Sequence, residues 1–170
     1  TFDDFQFITE LNLDSTGYKF STFKKIPGDT NSISMEGRLN TANFVEFKTF
    51  KYKIQDAIMR GSGKLNLLDS QDFIFNLFGE NISVKSIALN FSPLEAMESG
   101  VANISLKGNG TWTSLENLNY EGTIKLGDAS FKAEGFTHPL ILNANLDLEN
   151  YKSTINSATL ASSDSAIQFT

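Results

Sequence analysis

The sequence predicts an all-β chain of alternating, predominantly antiparallel strands, and three observations carry that expectation. Apolar and polar residues alternate with period two over most of the 170 residues. Short turn signals separate the alternating runs. The composition is 40% apolar with 15 Phe, and 12 Gly against 3 Pro, a foldable mixture suited to many strands joined by polar turns rather than to a disordered chain. Successive strand side chains project to opposite faces, so this alternation implies one apolar and one wetted face.

Along the chain, Phe5, Phe7, Leu11 and Leu13 share one parity, and Ile33, Met35, Gly37 and Leu39 another. In the run 44–54, Phe50, Tyr52 and Ile54 alternate with Lys51 and Lys53. Met59, Gly61, Gly63, Leu65 and Leu67 form a Gly-rich strand pattern. Asp72–Gly79 fits two readings, a helical turn stopped by Gly79 or a strand with Phe73, Phe75 and Leu77 inward. Ser92–Gly100 predicts a short helix, with a Ser cap, Pro93 at the first helical position and a terminal Gly. Strand patterns then follow at Ile104, Leu106, Gly108, Gly110 and Trp112, at Tyr120, Gly122, Ile124 and Leu126, and at Leu140, Leu142, Ala144, Leu146 and Leu148. The turn signals are Pro27-Gly28-Asp29, Gly79-Glu80-Asn81, Gly127-Asp128 and His138-Pro139. They leave room for roughly a dozen strands. No linker or composition break divides the chain, so 1–170 reads as a single segment.

Chemistry is sparse. There is no Cys, hence no disulfide framework or thiolate site. The single His138 stands beside Pro139 without a G-x-S-x-G elbow, which leaves no Ser-His-acid arrangement to build. One His and no Cys do not make a zinc site, and the acidic residues do not follow a calcium-loop pattern. Gly61-Ser62-Gly63-Lys64 lacks the Ser or Thr and the first Gly of a phosphate loop and sits within a strand pattern. Asp147 and Glu149 share a strand face, where alternate acids are ordinarily just solvated. The expectation is therefore no catalytic residue, no metal, no cofactor and no enzymatic activity.

The net charge is −6, and the pI of about 4.7 excludes a phosphate-tracking nucleic-acid binder. Residues 1–85 carry 10 basic and 11 acidic side chains, a net of −1; residues 86–170 carry 4 and 9, a net of −5. Lys48, Lys51, Lys53, Arg60 and Lys64 concentrate positive charge in one region. They read either as a contact for anionic lipid head groups or as edge protection and solubility. No apolar run approaches the ~18–20 residues of a membrane span, no signal peptide opens the chain, and both ends read as mid-strand, so the sequence reads as an excised piece of a longer protein.

From Gly100 onward the sequence resembles the AsmA superfamily of bacterial envelope proteins, which includes the TamB-like chains. The phrase Gly122-Thr123-Ile124-Lys125-Leu126-Gly127-Asp128-Ala129-Ser130-Phe131 carries the likeness, followed by Gly135-Phe136-Thr137-His138-Pro139-Leu140, the strand Leu142 to Leu148, and Ile155-Asn156-Ser157-Ala158-Thr159-Leu160. Gly108-Asn109-Gly110-Thr111-Trp112 and, more weakly, Met59 to Leu67 are similar to the family's Gly rhythm. Together the matching phrases cover about 70 residues.

The resemblance implies a long, curved, taco-shaped sheet with an apolar concave face. It further implies a periplasmic location in a diderm bacterium, a parent protein anchored in the inner membrane through parts outside this segment, and phospholipid acyl chains carried along the groove between the membranes. The candidate lining is Ile104, Leu106, Ile124, Leu126, Leu140, Leu142, Leu146 and Leu148. Three alternatives stand beside it. One is a module that contacts envelope proteins during outer-membrane protein assembly. Another is a closed two-sheet β-sandwich, of the adhesin or carbohydrate-binding kind. In that reading Trp112 would be the sugar-facing aromatic, although it shares parity with Ile104 and Leu106 and so is expected inward. The last is an enzyme, which the missing motifs disfavour.

Overall fold

The protein is described by a computed structural model that covers residues 4–20, 23–25, 27–40, 43–68, 71–89, 96–111, 113–150, 152–162 and 165–169. Its strands are β1 (Asp4–Asn12), β2 (Tyr18–Phe20), β3 (Phe23–Lys25), β4 (Asn31–Asn40), β5 (Phe44–Ile54), β6 (Ala57–Asn66), β7 (Asp72–Ser83), β8 (Met97–Thr111), β9 (Ser114–Phe131), β10 (Leu140–Glu149), β11 (Lys152–Ala161) and β12 (Ala166–Phe169). One short helix, α1 (Val84–Ala88), lies between β7 and β8. Ten strands form a single open antiparallel sheet in the order β1-β4-β5-β6-β7-β8-β9-β10-β11-β12, and β2 and β3 pair apart from it. The fold is therefore the expected all-β class, built as one long meander. It is not a sandwich, because a three-residue hairpin is the only other sheet among the described residues and is too small to cover a ten-stranded one.

Register places the apolar parities of successive strands on one face. One cross-strand row runs Phe7–Gly37–Phe47–Gly63–Phe75–Gly108–Tyr120. The neighbouring rows are Phe5–Leu39–Val45–Leu65–Phe73–Gly110 and Met35–Phe50–Gly61–Leu77–Leu106–Gly122–Leu148. In the first row the aromatics occupy the space that glycine leaves free. The Phe7 and Phe47 rings meet edge to face, with centroids 6.1 Å apart, on either side of Gly37. A Cβ at Gly108 would stand 2.8 Å from the Phe75 ring and 2.6 Å from the Asn119 carbonyl oxygen.

Six of the nine strand pairs of the large sheet carry a register shift. Each bulge bends and twists the sheet locally. Two of the expected turns, Gly79-Glu80-Asn81 and Gly127-Asp128, are bulges of this kind and not chain reversals. Asn81 (φ 51°) and Asp128 (φ 50°) adopt left-handed backbone, and their N–H groups donate to Asn103 Oδ1 and Asn143 Oδ1, each at 2.8 Å. The strand resumes pairing with the same neighbour beyond each. Pro27-Gly28-Asp29 and His138-Pro139 do lie between strands.

The ambiguous run Asp72–Gly79 is strand, held by ladders to β6 and β8 on its two sides. The helix expected over Ser92–Gly100 is not formed over its second half. Met97–Gly100 belongs to β8 and pairs with the end of β9, and Gly100 (φ 118°) lies against Ala129 in a bulge instead of ending a helix. Residues 92–95 lie outside the described residues, as does Trp112. The helix that does form is capped by Ser83, whose hydroxyl accepts from the Ser86 N–H at 3.3 Å.

The most deeply buried large side chains gather at one end of the sheet. Ile54 and Ile82 are 1% exposed and cluster with Ala57, with Tyr52, Met59, Ile87 and Ile104 packed against them; Val84 is 0% exposed. The Ser86 hydroxyl donates to the Asp56 carboxylate and ties α1 to the β5–β6 turn. The loop before β4 closes the same end: the Asn31 N–H donates to Asp14 Oδ1 at 2.8 Å, and Lys25 Nζ donates to the carbonyls of Thr16 (2.9 Å) and Asp14 (3.3 Å).

Gly63 tests the close approach of the strands. Its Cβ would stand 2.5 Å from the Ile74 carbonyl oxygen of β7, so Gly63→Ala forces β6 and β7 apart. The expected loss is about 1–3 kcal/mol in urea denaturation. Ser62→Ala, on the opposite face of the same strand, should stay within about 0.5 kcal/mol; equal midpoints for the two variants would contradict the close-approach account.

Candidate functional site

The eight lining residues expected from the sequence share one face. Ile104, Ile124 and Leu146 stand directly across from one another on β8, β9 and β10, and Ile155 of β11 extends the row. Leu106 and Leu148 flank Gly122. Leu126 lies between Ala102 and Ala144, and Leu142 between Ala129 and Leu160. Leu140 pairs with Phe131 and is buried, while the other seven are half-buried. Half-burial is what an apolar face gains from its own neighbours when no second layer lies over it. A closed core would have brought these side chains down to the exposure of Ile54 or Ile82.

The same face continues across β4–β7, where it deepens into a hollow of about 410 Å³ walled by Met35, Phe47, Phe50, Leu65, Phe73, Phe75 and Leu77. Gly61 and Gly63 of β6 form its floor, so the sheet is deepest where side chains are missing. The volume falls within the ~300–1,000 Å³ range of small-molecule sites. These residues were absent from the expected lining, which followed the family phrase beyond Gly100. The signal that marks them is the alternation of Phe with Gly in facing strands. A larger hollow of about 730 Å³ crosses β7–β10 and is more polar. Lys107 and Glu121 in its lining already pair with each other at 2.7 Å, and it offers no apolar trough.

The opposite face is wetted and carries several cross-strand ion pairs. Arg38, Glu46 and Lys64 form one cross-strand row on β4, β5 and β6. Arg38 Nε donates to Glu46 Oε2 at 2.6 Å, and Lys64 Nζ stands 3.5 Å from Oε1. The Arg38 hydrogen bond, helped by the nearby positive charges and opposed by partial desolvation, holds the Glu46 carboxyl below the usual glutamate range.

His138 is exposed in the β9–β10 connection. Asp147 and Glu149 are exposed on the wetted face of β10, and Gly61–Lys64 is strand and not a loop. Among the described residues no group of His, Cys, Asp and Glu could hold a metal ion, and no helix is long and apolar enough to cross a membrane. Comparison with protein-family models, with curated proteins and with solved structures finds no match for the chain.

A depressed carboxyl pKa in the folded state adds stability above the unfolded-state pKa, and that stability is lost as pH falls through the folded-state value. Acidification from pH 6 toward pH 3 should therefore lower the unfolding midpoint of wild type more than that of Glu46→Gln, measured by thermal denaturation at each pH. Parallel pH profiles for the two proteins would remove the Arg38–Glu46 pair as a source of this dependence.

Proposed function

We propose that this chain is a β-groove segment of an AsmA-like envelope protein of a diderm bacterium, a non-enzymatic element that binds or conducts phospholipid acyl chains between the inner and outer membranes. The observation that carries this reading is an apolar face running across ten strands, with no layer over it among the described residues. The resemblance around Gly122–Phe131 supports it independently.

Acyl chains fit such a face on physical grounds. Each buried methylene contributes about 0.8 kcal/mol, against an association cost of ~4 kcal/mol or more. A long chain can thus be held with no polar contact, while its head group stays in water. Contacts of this kind are non-directional, so a bound chain can slide from row to row. That property suits a conduit better than a receptor.

A second reading rests on the edge strand β1. Its nine residues pair with β4 without a bulge, and it carries neither Lys, Arg nor Pro. Such an edge is open to strand addition by another protein, as an interaction module in envelope assembly would require.

Binding of single-chain phospholipids, followed by isothermal titration, tests the first reading. Affinity should rise about two- to fourfold per added methylene, from half to full burial of each, until the chain fills the groove. Leu77→Glu and Leu106→Glu should each weaken it by at least tenfold. Binding that ignores chain length, or no binding at all, would remove the groove reading; capture of an envelope protein by cross-linkers on β1 with no lipid retained would favour the second.

A further inference from the structure

We propose that the outer, wetted face of β5–β7 docks on the surface of an anionic bilayer, with Lys51 and Arg60 holding a lipid phosphate between them. The chain is acidic, at −6, yet residues 44–66 of β5 and β6 carry Lys48, Lys51, Lys53, Arg60 and Lys64 against Glu46 and Asp56. Edge protection does not account for these cations, because β5 and β6 are interior strands of the sheet.

Register makes the concentration specific. On this face cations stand across from acids in Arg38–Glu46–Lys64 and Lys107–Glu121, while Lys125 stands between Asn103 and Asn145 and Lys53 between Ser32 and Ile58. Lys51 instead stands directly across from Arg60. Neither has an acidic partner among the described residues. Like charges placed directly opposite destabilise a sheet, and an anion seated between them relieves that repulsion.

Phe78, directly across from Arg60 on the other side, is 48% exposed, and Ile74 on the same face is 51% exposed. Cations beside exposed apolar side chains suit the head-group zone of a membrane, where the charge meets phosphate and the ring enters the interface. This pairing favours a bilayer over a free phosphate. The site lies on the face opposite the groove and does not rest on the acyl-chain reading.

Co-sedimentation with vesicles tests it, comparing phosphatidylcholine alone with phosphatidylcholine mixed with phosphatidylglycerol. Wild type should bind only the anionic vesicles and dissociate as salt is raised. Lys51→Ala/Arg60→Ala should bind roughly thirtyfold more weakly, from about one factor of five per cation. Phe78→Ser should also weaken vesicle binding. Lys51→Glu guards against misfolding, since it turns the repulsive pair into an attractive one: it should raise the melting temperature while abolishing vesicle binding. Equal binding to neutral vesicles, no binding to either kind, binding of inorganic phosphate without vesicle association, or vesicle binding retained by Lys51→Glu would each overturn the proposal. Single-chain phospholipid binding in the groove should be unchanged in all these variants.

Discussion

A single-layer sheet has to keep its strands together with half of its apolar surface uncovered, and the rest of the structure depends on how that is done. Here the solution is the facing of Phe with Gly across neighbouring strands. In the row Phe7–Gly37–Phe47–Gly63–Phe75–Gly108–Tyr120, large rings and bare backbone alternate. The Phe7 ring lies over Gly37 and the Phe75 ring over Gly108, which shields the backbone there and shelters part of each ring. Aromatic area is thereby buried within the face instead of against a second layer. The face stays apolar and accessible at the same time, a combination that a closed core cannot offer.

The two faces are stabilised by different forces, and those forces suit different partners. On the apolar face, contacts are non-directional and depend on area. On the wetted face, ion pairs across strands set local preferences, each of modest worth because water screens them. The wetted face therefore has little energy invested in any one contact. A position where two cations oppose each other stands out against this background, because it gives up stability where a compensated pair was available to the same backbone.

Closure is local. The Ile54, Ala57 and Ile82 cluster, α1 and the loop that carries Asp14, Lys25 and Asn31 seal one end of the strands. Away from that end the apolar side chains are half-exposed. The buried cluster anchors the middle of the meander, and the bulges spread along it bend the sheet without interrupting the apolar face. At three of the bulges an Asn side chain or a glycine takes up the irregular backbone: Asn103 and Asn143 accept from the amides of Asn81 and Asp128, and Gly100 adopts a positive φ. The chain's richness in Asn and Gly thus serves strand interiors as well as turns.

The sequence by itself determined the all-β class, the number of strands to within a few, and the parity of most of the long runs. Period-two alternation is a local property that survives any pairing partner. It also placed Ile104, Leu106, Ile124, Leu126, Leu140, Leu142, Leu146 and Leu148 on faces that turn out to be one face. What it could not show were the positions where parity changes. Val45 and Phe47 are odd-numbered, and Phe50, Tyr52 and Ile54 even, yet all five face the same way because of the bulge at 48–49. The same holds at Gly79 to Ile82 and at Leu126 to Ala129. Only pairing with a neighbouring strand shows whether a Gly-Asp or Gly-Glu-Asn phrase reverses the chain or bulges within it, since the local conformation is similar in both. The tertiary structure likewise decided that Asp72–Gly79 is strand, that Met97–Gly100 is not helix, and that among the described residues no second layer covers the apolar face. Each of these depends on what lies alongside the segment, and a period of two is the same whether a face is covered or bare.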